Sequence, residues 1–74
     1  MIDEARKLVS EVLGLDFKHV NEKASIDNLE DWNSIKHIAI IQVIENHVQR
    51  QLSIEEIISA TNIEGIAKVL NSEV

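Results

Sequence analysis

Apolar residues recur at three- and four-residue intervals along most of this chain, and that period decides what it can fold into. Ile2, Ala5, Leu8, Val9, Val12 and Leu13 keep the spacing near the start, and Gly14 follows where a helix C-cap is expected. A first helix is therefore predicted from about residue 3 to residue 13. Ile38, Ile41, Ile44 and Val48 repeat the period and predict a second helix from Ser34 to Val48, with Asn33 or Ser34 as its cap. Ser53-Ile54-Glu55-Glu56 reads as a capping box, because the Glu56 side chain can reach back to the amide of Ser53. It opens a short third helix through about residue 59. Thr61-Asn62-Ile63-Glu64 repeats that device ahead of a fourth helix, which carries Ile63, Ile66, Ala67, Val69 and Leu70 and runs to the end of the chain. Gly65 inside it is a candidate point of close packing. Ile and Val are abundant enough to suit strands, but the spacing does not alternate and turn dipeptides are absent. The expected fold class is all-α.

At 74 residues the chain is expected to form one domain, 1–74, with a modest core and little room for an enclosed catalytic pocket. An enzyme is disfavoured on that ground. One Trp, one Phe and no Tyr leave the core to Ile, Leu and Val. The chain has no Cys, which excludes disulfides, thiolate zinc sites and thiol nucleophiles, so any thiol chemistry must be supplied from outside it. Seven Lys and Arg against thirteen Asp and Glu give a net charge of -6, which repels a phosphate backbone. Nucleic acid is not an expected partner. Met1-Ile2-Asp3-Glu4-Ala5-Arg6 carries acids where a secretory signal carries an apolar run, and no apolar stretch approaches membrane-spanning length. A cytoplasmic monomer without membrane insertion is expected.

Residues 15 to 33 form a connection longer than the roughly 12–15 residues at which structureless loops become uncommon. Leu15, Phe17, Val20, Ile26, Leu29 and Trp32 give it apolar anchors, so it is expected to pack on the helices and deliver the chain to Asn33-Ser34 in a fixed direction. A helix N-terminus offers unpaired amides and the positive end of the macrodipole, both favourable to a phosphate. If Asn33 caps the second helix, Ser34 takes the first helical position with its hydroxyl toward solvent. Helix chemistry alone favours the plainer reading, in which Ser34 is itself the cap.

Leu29-Glu30-Asp31-Trp32-Asn33-Ser34-Ile35-Lys36-His37-Ile38 resembles the modification motif of acyl carrier proteins, in which Asp-Ser-Leu opens the second helix. Ser34 and Ile35 match its serine and apolar residue. The resemblance extends over the first helix, the long loop, Ile44-Glu45, the short third helix and the Thr61-Asn62-Ile63 turn. It implies a small four-helix bundle of the acyl carrier type, with the long loop between helices one and two. It also implies that a phosphopantetheinyl transferase esterifies Ser34 with 4'-phosphopantetheine. The thiol of that covalent arm would carry acyl or aminoacyl thioesters to separate acyl-loading and acyl-processing enzymes, as in fatty acid, polyketide or other secondary-metabolite biosynthesis.

Two departures from the family pattern stand out. Asn33 replaces the motif's aspartate, which preserves the cap but removes a charge from the site that the transferase reads. Lys36 and Ala39 stand where acids are common, and Glu45 keeps its charge along this helix. At about 100° per residue, Ile35, Ala39 and Val43 form a stripe opposite the Ile41, Ile44 and Val48 face, and partner enzymes are expected to meet it through apolar contact. Ile35, Lys36, Ala39, Val43 and Glu45 are thus the candidate partner-binding residues. In the family an acyl chain can enter between helices two and three. The matching positions are Ile38, Ile41, Ile44, Leu52, Ile57 and Ile63, which a plain core would also require. Their bulk implies a small pocket, suited to short or polar cargo.

Two other readings differ in class. An unmodified helical interaction module would keep the fold and lose the arm, and the substitution at Asn33 favours it. A minimal serine hydrolase would draw on the three-residue spacing of Asp31, Ser34 and His37, but nothing in so short a chain supplies an oxyanion site. His19, His37 and His47 lack a metal-site spacing, so no metal is expected. Glu30-Asp31 and Glu55-Glu56 read as loop charge and helix-start acids rather than an acid-base pair.

Overall fold

The computed structural model describes residues 2–71. Four helices follow one another as α1 (Ile2–Leu13), α2 (Ser34–Val48), α3 (Ile54–Ser59) and α4 (Ile63–Asn71). A single 3-10 turn, Phe17–His19, which the periodicity did not reveal, interrupts the long connection. No strand occurs among the described residues, and no helix there is long and apolar enough to cross a membrane.

Local chemistry sets most helix ends. Gly14 leaves α1 at φ 72, and the Leu15 amide turns back to the Ser10 carbonyl at 2.9 Å. At the end of α2, Gln49 adopts the left-handed region with φ 61, and the amides of Gln49 and Arg50 both donate to the Glu45 carbonyl. Ser53 and Glu56 form the reciprocal capping box at the start of α3. The cap of α4 differs from expectation. Asn62 Oδ1, not the Thr61 hydroxyl, accepts the α4 bond, from the Gly65 amide at 2.6 Å, while Thr61 donates to the Ile58 carbonyl. The helix therefore starts one residue later than a Thr61 cap would place it. The final part of the predicted fourth helix, residues 72–74, lies outside the described residues.

The core is aliphatic, as the composition requires. Ala5 and Val9 of α1, Ile40 and Ile44 of α2, and Ile63 and Ile66 of α4 are fully buried in one cluster that includes Trp32. Gly65 has a steric reason to be glycine: a Cβ there would stand 1.6 Å from the Ser59 carbonyl oxygen. That contact lets α4 leave α3 at close range.

The inner face of α2 keeps the predicted Ile41 and Ile44, with Val48 partly buried, but differs at two positions. Ile40 is buried, and Ile38, expected inside, is 62% exposed. A row of three-residue steps drifts by about 60° per step, so Ile38 falls well off the face centred on Ile40, Ile41 and Ile44.

The long loop is fastened rather than loose. The Arg6 guanidinium donates from Nε to the Val20 carbonyl at 2.6 Å and lies 4.0 Å from the centre of the Phe17 ring. Phe17, expected as an inward anchor, is instead 41% exposed, with the guanidinium over its face. Farther on, the Ile26 amide donates to the Thr61 carbonyl and the Ile63 amide to the Ala24 carbonyl, which ties the loop to the α3–α4 turn. Buried Val20, Ala24 and Trp32 complete the attachment.

Candidate functional site

The start of α2 is built from the loop outward. Trp32 is 1% exposed and its amide donates to the Leu29 carbonyl, so the chain is pinned one residue before it emerges. Asn33 then takes an extended conformation and caps the helix, its side chain accepting from the Lys36 amide at 2.9 Å. Its carbonyl accepts from the His37 amide at 2.8 Å. Ser34 is the first helical residue and is exposed. Because Asn33 makes the cap bond, the Ser34 hydroxyl is not committed to the helix. The first turn of α2 holds no acidic residue, and the exposed Lys36 lies within it. The field at this N-terminus therefore suits an anion.

Around Ser34 the structure sorts the candidate partner residues. Ile35 is 78% exposed, Lys36 and Val43 are exposed, and Ala39 is half-buried. Glu45 is half-buried and accepts from the Leu52 amide at 2.9 Å. Its carboxylate thus braces the α2–α3 connection rather than extending from the surface. No family model matches this chain, and no curated protein matches it.

Among the residues proposed to line an acyl pocket, Ile41, Ile44, Leu52 and Ile63 are buried in the continuous core, and Ile57 is half-buried. Ile38 does not belong with them, since it turns outward. An open cleft of about 600 Å³ between Ile2, Glu22, Glu64, Ala67, Lys68 and Asn71 involves none of these residues.

Asp31, Ser34 and His37 do not assemble a catalytic relay. His37 Nδ1 accepts from the Trp32 indole at 3.2 Å, and its Nε2 stands 3.3 Å from the Ile57 carbonyl. Both ring nitrogens are occupied away from Ser34. This link between the loop, α2 and α3 is not evident from the sequence, where Trp32 reads as a loop anchor and His37 as part of the Asp31, Ser34 and His37 spacing or as one of three histidines without metal-site spacing. Ile54 and Ile58 of α3 are exposed as well, which the apolar spacing did not predict. The available signal was length: a six-residue helix carrying three isoleucines cannot turn them all inward.

Proposed function

We propose that this chain is a carrier domain in which Ser34 bears a 4'-phosphopantetheine arm. The observation that carries the reading is an exposed serine at the first position of α2, freed from capping by Asn33. The amides and dipole of a 15-residue helix favour the esterified phosphate at that end. A chain without cysteine would acquire its reactive thiol only with the arm. In this role the domain is no catalyst. It is a tether that holds a thioester at high effective concentration for separate loading and processing enzymes.

Those enzymes would approach across the exposed apolar residues beside Ser34, chiefly Ile35 and Val43, with Lys36 in place of the acids common in the acyl carrier family. The packed Ile41, Ile44 and Ile63 leave little space for a long acyl chain, so short or polar cargo fits best.

The decisive measurement is intact-protein mass spectrometry after incubation with coenzyme A and a phosphopantetheinyl transferase. One added phosphopantetheinyl mass is expected on the wild type and none on Ser34→Ala; an unmodified wild type overturns the reading. The surface is tested separately. Ile35→Glu combined with Val43→Glu should abolish turnover by the partner enzymes with the fold intact.

A second reading, an unmodified interaction module, draws on Asn33 and on the exposed Ile35, Ile38, Ile54 and Ile58. It predicts partner binding that Ser34→Ala leaves unchanged.

A further inference from the structure

The bonds of His37 select one protonation state. An indole N–H only donates, so His37 Nδ1, 3.2 Å from Trp32 Nε1, must be the acceptor and carry no proton. The ring proton then sits on Nε2 and donates to the Ile57 carbonyl at 3.3 Å. Two neighbours on different segments thus require the same neutral tautomer.

A proton added at Nδ1 would set two donors face to face. Trp32 is 1% exposed, so its N–H has no ready exchange of partner with water while the ring stays in place. His37 is half-buried, and rotating toward solvent satisfies the imidazolium at the cost of the Ile57 bond. No ion pair involves His37 among the described residues, so no carboxylate is in place to hold the charged ring where it stands.

The charged groups of the adjoining segments are exposed or otherwise engaged. Asp31 before the cap, Lys36 on α2 and Glu55 on α3 are exposed, and Glu56 is engaged by Arg50. On α1, Glu4 faces His47, and on α4, Glu64 and Lys68 are exposed.

α3 is the element that such a break would move. It has no buried residue of its own, and Ile54 and Ile58 face outward. Half-buried Ile57 leans on the core without titrating, and the Arg50–Glu56 pair does not respond in the range where imidazoles titrate. The Arg50 hydrogen bond, followed by that of the Ser53 backbone, lowers the Glu56 carboxyl to about 2.

We propose that His37 is a proton-operated latch. Neutral, it holds α3 against the first turns of α2; protonated, it releases α3 and loosens the wall beside Ser34. Falling pH favours release, because a proton on Nδ1 removes the acceptor that the Trp32 N–H requires. The latch goes beyond the carrier reading and operates whether or not Ser34 is modified.

The test is an NMR titration of the unmodified full chain between about pH 8 and pH 5, the window in which histidines titrate. The His37 ring, the Trp32 indole N–H and the Ile57 and Ile58 amides should shift with one shared midpoint. Emission from Trp32, the only tryptophan, should follow them. His37→Gln can keep both bonds, its carbonyl accepting from Trp32 and its amide donating to Ile57, yet it takes up no proton. Its Trp32 and α3 signals should stay flat over the same range. Wild-type α3 and Trp32 signals that ignore titration of the His37 ring overturn the proposal. So does a full response that persists in His37→Gln. If that variant does not fold, the wild-type titration alone decides.

Discussion

α3 and α4 begin alike, each with an isoleucine after a side-chain cap, yet they treat their apolar residues in opposite ways. In α4, Ile63 and Ile66 are fully buried against the rest of the bundle. In α3, Ile54 and Ile58 are 76% and 66% exposed. Length and partners account for the difference. α4 is long enough to lay a full apolar face on α1, whereas α3 spans six residues held by its capping box, one ion pair, the His37 bond, half-buried Ile57 and the close approach of Ser59 to Gly65. A hydrophobic residue is inside only where a neighbour covers it. The contrast divides the molecule into a rigid side, α1 with α4, and an adjustable side, where α3 borders the helix that begins at Ser34.

The most severe way to break this comparison is to truncate matched isoleucines. Ile66→Ala should lower the free energy of unfolding by about 2–5 kcal/mol in a urea titration, because it removes packed methyl groups and leaves a cavity. Ile58→Ala should stay within about 0.5 kcal/mol, as surface changes usually do. Equal losses would erase the distinction between the two helices.

Gly65→Ala probes the seam between them. A methyl group directed at the Ser59 carbonyl forces the α3–α4 turn apart, and a loss of about 1–3 kcal/mol is expected in the same experiment. A neutral result would mean that this seam yields readily.

The adjustable side responds more gently at its start. Asn33→Ala should cost about 1 kcal/mol, measured by thermal melting, while Asn33→Asp keeps the cap. On the carrier reading the Asp variant should also be modified faster by the transferase, because it restores the charge of the family's motif.

The smallest effect comes from Glu56, on the exposed flank of α3. The unfolded chain binds a proton at the ordinary value of 4.5, and the folded carboxyl refuses it until about 2. Its stabilising contribution is therefore complete above 4.5 and lost as pH falls from there through about 2. Glu56→Gln should flatten that part of the stability curve, and added salt should shrink the wild-type slope.

Much of the helical framework was legible because short-range chemistry governs it. Gly14 marks the end of α1, Asn33 precedes α2, and Ser53 with Glu56 opens α3, each through a bond within one turn. The cap of α2 was only half legible: local chemistry allowed either Asn33 or Ser34 and favoured Ser34, and the fold gives the cap to Asn33. Orientation was less so. Ile38 sits on the three-residue row that predicted an inner face, but small angular errors accumulate along a helix, and only the packed neighbours reveal that Ile40 is central. Glu45 read as a surface charge because its partner, the Leu52 amide, lies beyond the end of its helix. Thr61 and Asn62 are both competent caps, and the choice between them rests on the turn that the loop grips through Ile26 and Ala24.

By itself the sequence determined the all-α class, most of the helix starts and stops, the aliphatic core and the placement of a serine at a helix entry, because each depends on residues within a turn or two of one another. Tertiary structure alone decided which isoleucines face water, where the Glu45 carboxylate is spent and how Trp32, His37 and Ile57 meet. Those outcomes depend on surfaces from distant parts of the chain competing for one small interior, and a competition among distant surfaces is resolved only when they pack.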